Sequence, residues 1–582
     1  MDFRQLLKKL QPQLRIQVLK RHLQTANTKN AANGYARKAV FGVVASTSVY
    51  LCWSQLSKSP YLAYEEKQKK KLVILGSGWG AVSLLKNIQP DLYDITVVSP
   101  TNYFLFTPLL PSVTVGTVDG RSLLEPVRKI LSKKHKLDAQ FIEAECTDVD
   151  IEKQKVTCMD KTNIKGSQSS FEIDYDVLVV AVGSKTATYN KEDIEKYAHK
   201  LKSVTQAREI RCNIIDSFET AAIPGQPEEE IKRLLNFVVV GGGPTGVEFA
   251  SELRDFIHDL KKLYKDDLVE KVTVTLVNSN YKMLSMFDEQ ICQYTADHFK
   301  SSGIDVISGS YVVGIDEKEI QIKSKATKEV TAMPYGMCVW AAGIQPRSLT
   351  KKLIAAIPNQ NNRNALAVDC FLKVKNCNNV FAIGDCGTIR FDKMLSDVEK
   401  LFKEADNDGS CALSLDEFAV FLEDAKTKYP AMTQHLSKMQ RKISKVFALA
   451  DRDKDGSLSM EEFSHFLKET DNKLTSHPAT AQVASQEGKY LAKLLSKHPE
   501  VCDNDFSSSS AFVYNHLGSF CYVGGEKAVL TMPIVGSMSG WFTMWLWRGA
   551  YLNEAVSFRM QCMIAVDWLK AHVFGRDTSR IA

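Results

Sequence analysis

The chain has 582 residues, too many for one hydrophobic core, so several domains are expected. A composition 44% hydrophobic and 24% charged is that of a globular protein, and a net charge of +6 over this length gives no case for nucleic-acid binding. Thirteen cysteines include no CxxC or CxxxxC spacing, so the chain offers neither a zinc ribbon nor a redox-active dithiol.

From Met1 to Tyr64 the only acid is Asp2, while Arg4, Lys8, Lys9, Arg15, Lys20, Arg21, Arg37 and Lys38 alternate with apolar residues. Phe3, Leu6, Leu7 and Leu10 fall at helical spacing, the pattern of a mitochondrial transit segment over residues 1–38. The uncharged stretch Ala39 to Ser57 just reaches the length needed to cross a bilayer and is expected to be a membrane anchor, the alternative being a longer cleaved presequence. An anchor behind a presequence would leave the body facing the intermembrane space.

After a charged linker, LVILGSGWGAVSLLKNI places Gly76, Gly78 and Ala81 in G-x-G-x-x-A between a strand and a helix. The second strand ends at Ser99, where many dinucleotide folds carry a carboxylate for ribose hydroxyls. A second copy follows in VVVGGGPTGVEFASEL. Here Gly241 makes the turn, Gly243 lets backbone approach a pyrophosphate, and Gly246 lets helix and strand pack closely. The helix N-terminus then faces the anion. The strand VTVTLVNSN should end beside the adenosine ribose of this second site, and it carries Asn278 in place of a carboxylate. Two readings stand: Asn278 caps a turn, or NADPH is no longer repelled, with Lys282 as a counter-charge. Farther on, VFAIGDC sets Gly384 and Asp385 at the C-terminal end of a buried-type strand, where ligands bind in open α/β sheets; a helix N-cap is the other reading of Asp385.

Between Cys386 and Thr475 a helical, acid-rich insert interrupts this pattern. DRDKDGSLSMEE places Asp451, Asp453, Asp455, the Ser457 carbonyl and Glu462 at positions 1, 3, 5, 7 and 12 of an EF-hand loop, with Gly456 at the sharp turn. Upstream, DNDGSCALSLDE offers Asp406, Asp408, Ser410, the Ala412 carbonyl and Glu417, but with Cys411 at position 6. A strained turn there predicts a partner hand that binds calcium weakly. The insert is expected to gate cofactor or quinone access in response to calcium.

In Pro478 to Leu495, Gln482 and Gln486 lie four apart on one helix face, a pattern of an exposed polar stripe. The C-terminal run holds Trp541, Trp545, Trp547 and Trp568, interrupted by charges too often for a span. Leu552, Val556, Met560, Ile564 and Trp568 repeat at i+4, as in an interfacial amphipathic helix resting on a membrane surface. The same periodicity fits a helix packed on the protein's own core or at a homodimer interface.

Taken together, the first glycine motif, NYFLFTPLLPSVTVGTVDGRS at Asn102 to Ser122, the second glycine motif, CVWAAGIQPR at Cys338 to Arg347, and VFAIGDC resemble type II NADH dehydrogenases, the single-chain alternative NAD(P)H:quinone oxidoreductases of mitochondria. The external, EF-hand-containing, calcium-dependent kind matches the insert. The resemblance implies FAD in the first fold, with Gly76, Gly78, Ala81, Ser99, Gly384 and Asp385 among its contacts. It implies NADH or NADPH in the second, at Gly241, Gly243, Gly246, Asn278 and Gly343. It also places Gln482 and Gln486 beside the isoalloxazine, where ubiquinone docks. The expected architecture is α/β, with two Rossmann-like dinucleotide-binding domains, an inserted all-α EF-hand module and a C-terminal membrane-associating helix. The expected boundaries are an FAD domain over 70–232 and 357–390, an NAD(P)H domain over 233–356 and an EF-hand insert over 391–473. A quinone-site helix with the end of the FAD domain follows over 474–530, then a membrane-binding region over 531–582. The implied function is rotenone-insensitive oxidation of NADH or NADPH through FAD to ubiquinone at the mitochondrial inner membrane, without proton pumping, by a calcium-regulated homodimer. A calcium-sensing mitochondrial adaptor on a flavoprotein scaffold, or another pyridine-nucleotide flavoprotein reductase, are the alternatives.

Overall fold

A computed structural model describes most of residues 69–582; residues 1–68, 136–138, 361, 390–393, 474–476, 534–535, 581–582 and parts of 430–441 and 500–508 are not described. The expected transit segment and the possible anchor at 39–57 therefore lie outside the described residues.

The chain builds two sheets from the same recipe. Strand β1 (Lys70–Leu75) ends in LVIL, whose four side chains are all at most 1% exposed. A run apolar on both faces is what a central parallel strand between two helical layers requires. Helix α1 (Trp79–Asn87) follows β1 directly, and β2 (Tyr93–Ser99) returns parallel to it. The sheet continues through β3 (Gln140–Asp150), β4 (Lys155–Asp160) and β5 (Ser170–Asp174), the last two antiparallel. On its other side β6 (Val177–Val180) lies against β1.

The second sheet starts at β7 (Asn236–Val240), followed by helix α2 (Pro244–Leu260). Parallel strands β8 (Thr273–Asn278), β9 (Asp305–Ser308) and β10 (Met337–Trp340) extend it, with a short edge at His199–Lys200. Ile344–Pro346 pairs antiparallel with Ser184–Thr186, so the chain leaving the second sheet is hydrogen-bonded to the segment that left the first. Strand β11 (Val380–Ala382) then goes back to the first sheet, next to β6.

Helix α3 (Ala481–Lys497) crosses α1 at very close range. A Cβ on Gly488 would stand 2.3 Å from the Gly80 carbonyl oxygen, and Ser83 Oγ donates to the Ser485 carbonyl at 2.6 Å. Only a glycine at this crossing lets the two backbones meet. A three-stranded antiparallel sheet (Ser519–Gly524, Lys527–Met532, Gly536–Gly540) leads to helices α4 (Trp541–Glu554) and α5 (Phe558–Phe574).

The insert has its own core. Phe402, Phe418, Phe421, Phe447, Phe463 and Phe466 cluster apart from the two large cores, with Phe421 and Phe463 rings 5.0 Å apart. Its helices Val398–Ala405, Leu415–Lys428, Ile443–Ala450 and Met460–Lys473 form two helix–loop–helix units joined by a two-stranded pairing of Ala412–Leu413 with Leu458–Ser459.

Candidate active site and calcium loops

The two glycine turns have nearly identical geometry. Gly76 sits at φ +114°, and a Cβ there would lie 2.3 Å from the Ala181 carbonyl oxygen; Gly241 sits at φ +122°, with its Cβ 2.7 Å from that of Ala341. Each turn thus crosses against the end of a neighbouring strand, in a conformation only glycine adopts cheaply. Gly78 and Gly243 are the N-caps of α1 and α2, neither helix has a side-chain cap or an acid in its first turn, and a Cβ at either glycine would meet nothing within 4 Å. Uncapped backbone N–H groups beside open space fit a pyrophosphate at both places. Gly246 has no room at all, since its Cβ would fall 2.0 Å from the Gly241 carbonyl oxygen. The matching position in the first copy holds Ala81, which is fully buried.

Ser99, at the C-terminal end of β2, is buried and shares a 2.9 Å hydrogen bond with Ser77. Asp385 follows β11 and accepts a 2.5 Å hydrogen bond from Ser184 Oγ, to which Lys202 Nζ donates at 2.8 Å. Burial pushes the Lys202 ammonium below its ordinary pKa, opposed by Asp385 3.7 Å away. Gly384, at φ +72°, donates its N–H to Glu487 Oε2 at 2.6 Å. Glu487 is almost fully buried on α3, and burial, with Asp385 adding to it, pushes its carboxyl up to about 8. A cavity of about 260 Å³ opens here, lined by Ser184, Asp385, Thr388, His477, Thr480 and Glu487 among others. Gly343, at φ +78°, faces the Tyr189 hydroxyl across the paired segments. The residues expected to contact FAD in the first fold therefore lie at the C-terminal ends of β1, β2 and β11, with α3 closing one side.

Gln482 and Gln486 are not an open stripe. Gln482 Oε1 accepts from the Tyr514 hydroxyl (2.5 Å) and Leu517 N–H (3.2 Å), and Gln486 exchanges hydrogen bonds with the Asn515 backbone at 2.8 and 2.9 Å. Both glutamines thereby hold the 514–518 segment on α3.

Asn278 is buried, and a Cβ on Gly242 would meet its side-chain carbon at 2.5 Å, so the amide lies against the second glycine turn. Its Nδ2 donates to the Lys282 carbonyl at 3.0 Å and its Oδ1 accepts from Asn280 N–H at 3.3 Å. The turn-capping role and the place beside the cofactor turn are thus both present.

In the insert, one carboxylate oxygen each from Asp406, Asp408 and Glu417 lies within 4.8 Å of the other two, and Asp451, Asp453 and Glu462 do the same. All-oxygen donor sets of this kind fit calcium. Asp455 stands outside its group, accepting from Ser457 N–H (2.8 Å) and Oγ (2.9 Å), and Ser410 Oγ donates to the Ala412 carbonyl. Both loops use left-handed residues at positions 4 and 6: Gly409 and Cys411 (φ +71° and +61°), then Lys454 and Gly456 (φ +61° and +89°). The expected left-handed residue at Cys411 is thus present, and the second loop also carries a non-glycine residue in this conformation, two positions earlier in its own loop, at Lys454.

The apolar stripe at the C-terminus points the other way from expectation. The helix breaks after Glu554, where Ser557 caps α5, so the i+4 repeat is not carried by one helix. Met560 and Ile564 are fully buried in the core containing α2, with Leu552, Val556 and Trp568 packed against it. Periodicity identifies an apolar face but not what covers it, and here the protein's own body does. The outward apolar set is Trp541, Phe542, Trp545, Phe558, Leu569, Val573 and Phe574, each more than half exposed. Among the described residues no helix is long and apolar enough to cross a membrane. Behind α5, Arg576 reaches Asp259 (2.5 Å) and Glu252 (3.4 Å) on α2, a tie that sequence reading had no means to find.

Fold and site together define a flavoprotein of the two-dinucleotide kind carrying an EF-hand pair. Three family profiles match in succession: Pyridine nucleotide-disulphide oxidoreductase over residues 70–407, EF-hand domain pair over 395–468 and NDH2 C-terminal domain over 516–577. The chain is 41% identical over 529 residues to the external alternative NAD(P)H-ubiquinone oxidoreductase B1, mitochondrial, of Solanum tuberosum, covering 89% of this chain and 91% of that one. It is 42% identical over 533 residues to the B3 enzyme of Arabidopsis thaliana, covering 88% and 91%. A solved structure of NDH2 from Plasmodium falciparum in complex with NADH superposes with a TM-score of 0.76 at 30% identity, covering 88% of this chain and all of that one. The chain belongs to the alternative NAD(P)H-ubiquinone oxidoreductase family.

Proposed function

We propose that this protein oxidises NADH or NADPH and passes the electrons through FAD to ubiquinone, without proton pumping and under calcium control. The observation that carries the reading is the duplicated turn: two glycines at matching positive φ, each followed by an uncapped helix N-terminus open to a ligand. FAD, when bound, supplies the two-electron step between nicotinamide and quinone. The chain's own part is to bind and orient. Gly76, Gly78, Ser99 and Asp385 would hold FAD in the first fold, and Gly241, Gly243 and Asn278 would hold the nicotinamide cofactor in the second. The Lys202–Ser184–Asp385 series keeps the Asp385 carboxylate oriented at the strand end. Gln482 and Gln486, by pinning residues 514–518, shape the side of α3 where the quinone would enter.

The reading extends to the inner membrane of mitochondria, with the body facing the intermembrane space. The relatives' names, external and mitochondrial, support it, as does the acid-poor N-terminus. The exposed aromatic set on α4 and α5 is the surface that would rest in the headgroup region, where a lipophilic quinone is met. A homodimer is part of the same reading. Calcium would act through Asp451, Asp453, Asp455, Ser457 and Glu462, and at the first loop through Asp406, Asp408, Ser410 and Glu417.

The test is turnover of NADH and of NADPH with a soluble ubiquinone, with calcium and with chelator. Quinone-dependent oxidation that rises with calcium supports the proposal. A flavin-free protein, or oxidation that ignores quinone, would remove it.

A further inference from the structure

The NADH-versus-NADPH choice in dinucleotide folds depends on charge near the ribose 2′ position, and the loop after β8 carries a charge pair. Residues 278–289, NSNYKMLSMFDE, contain a single cation, Lys282. The hydrogen bond from Asn278 Nδ2 to the Lys282 carbonyl folds that cation's backbone back onto the side chain that occupies the usual carboxylate position. Lys282 Nζ is held at 2.6 Å by Glu289 Oε2, and both side chains are more than half exposed. Glu289 lies in the first turn of the helix Glu289–Ser302.

Resting on the reading of Asn278 as the ribose-facing residue, we infer that Glu289 sets the cofactor ratio by competing with a 2′-phosphate for Lys282. Removal of the carboxylate from the strand end lifts the repulsion of NADPH. The attraction that would favour NADPH is then partly neutralised by a carboxylate of the chain itself. An exposed pair of this kind is weak and exchangeable, so an incoming phosphate can take the ammonium from it. NADH makes no demand on Lys282. The arrangement gives an enzyme that accepts both cofactors, with a discrimination set by one ion pair.

The experiment is kcat/KM for NADPH and for NADH at fixed calcium and salt in the wild type, E289Q, K282Q, the double variant and N278D, with calorimetric binding of adenosine 2′,5′-bisphosphate as a readout free of turnover. E289Q is expected to raise the NADPH/NADH ratio about fivefold and to tighten the bisphosphate by a similar factor. K282Q should lower both about tenfold, and E289Q added to K282Q should change neither. N278D should depress NADPH use in every background. If N278D lowers NADPH use while E289Q leaves the ratio and the bisphosphate affinity as in wild type, the inference fails and the reading of Asn278 stands. If N278D also has no effect, the reading of Asn278 fails first. An effect of E289Q that persists without Lys282 would equally overturn the competition.

Discussion

Gly243→Ala separates the ligand from the fold. The N-cap glycine has φ −80° and ψ 176°, extended backbone that alanine adopts without strain, and its new Cβ would meet no protein atom within 4 Å. Replacing an N-cap glycine by alanine costs about 1 kcal/mol or less, so the thermal midpoint should move only slightly. The methyl group would fill the space through which a pyrophosphate approaches the first N–H groups of α2. A tenfold to hundredfold loss of NADH affinity is expected, about 1.4–2.7 kcal/mol. The assay is the initial rate of anaerobic flavin bleaching as a function of NADH concentration, with bound FAD counted in the same sample. FAD content should stay at the wild-type level, because the turn at Gly76 is untouched. By contrast Gly246→Ala would bring a methyl group 2.0 Å from the Gly241 carbonyl oxygen and should cost about 1–3 kcal/mol in stability. A Gly243→Ala protein that bleaches at unaltered NADH concentrations would refute the placement of the pyrophosphate at this helix.

Gly488→Ala puts a Cβ 2.3 Å from the Gly80 carbonyl oxygen, so a melting temperature lower by the equivalent of about 1–3 kcal/mol is expected, with weakened FAD retention. Cys411→Gly relieves a left-handed residue worth about 1–2 kcal/mol, and calorimetric titration should show up to about tenfold tighter calcium binding at the first loop. The Glu487 carboxyl is raised by burial from 4.5 to about 8, so its contribution to stability is complete below about pH 4.5 and is lost as the pH rises through about 8. Glu487→Gln keeps an acceptor for the Gly384 N–H, and the fall in melting temperature between about pH 4.5 and 8 should flatten; an unaltered slope would assign that fall to other groups.

The glycine turns and EF-hand loops were legible in the sequence because their requirements are local: a positive φ, a close approach or a fixed ligand spacing falls within a dozen residues. Where partners are distant in the chain, the sequence is silent. Glu487 meets Gly384 N–H from 103 residues away, and Arg576 reaches Glu252 across 324. The glutamine pair on α3 was visible as one helix face, but only the fold reveals that it grips residues 514–518. The C-terminal stripe misled for a related reason. An apolar repeat lowers its free energy against any apolar neighbour, and Met560 and Ile564 found the core beside α2 instead of lipid. Lys202 carried no motif, and its place in the Asp385 network depends on strands brought together from three parts of the chain.

The most direct test of the two-nucleotide relay follows the flavin spectrum of the purified, calcium-loaded protein in the absence of oxygen. The account predicts that NADH bleaches the visible flavin band within one turnover and that a stoichiometric addition of ubiquinone restores it. A flavin that stays oxidised under NADH, or one that bleaches and is not reoxidised by ubiquinone, would contradict it.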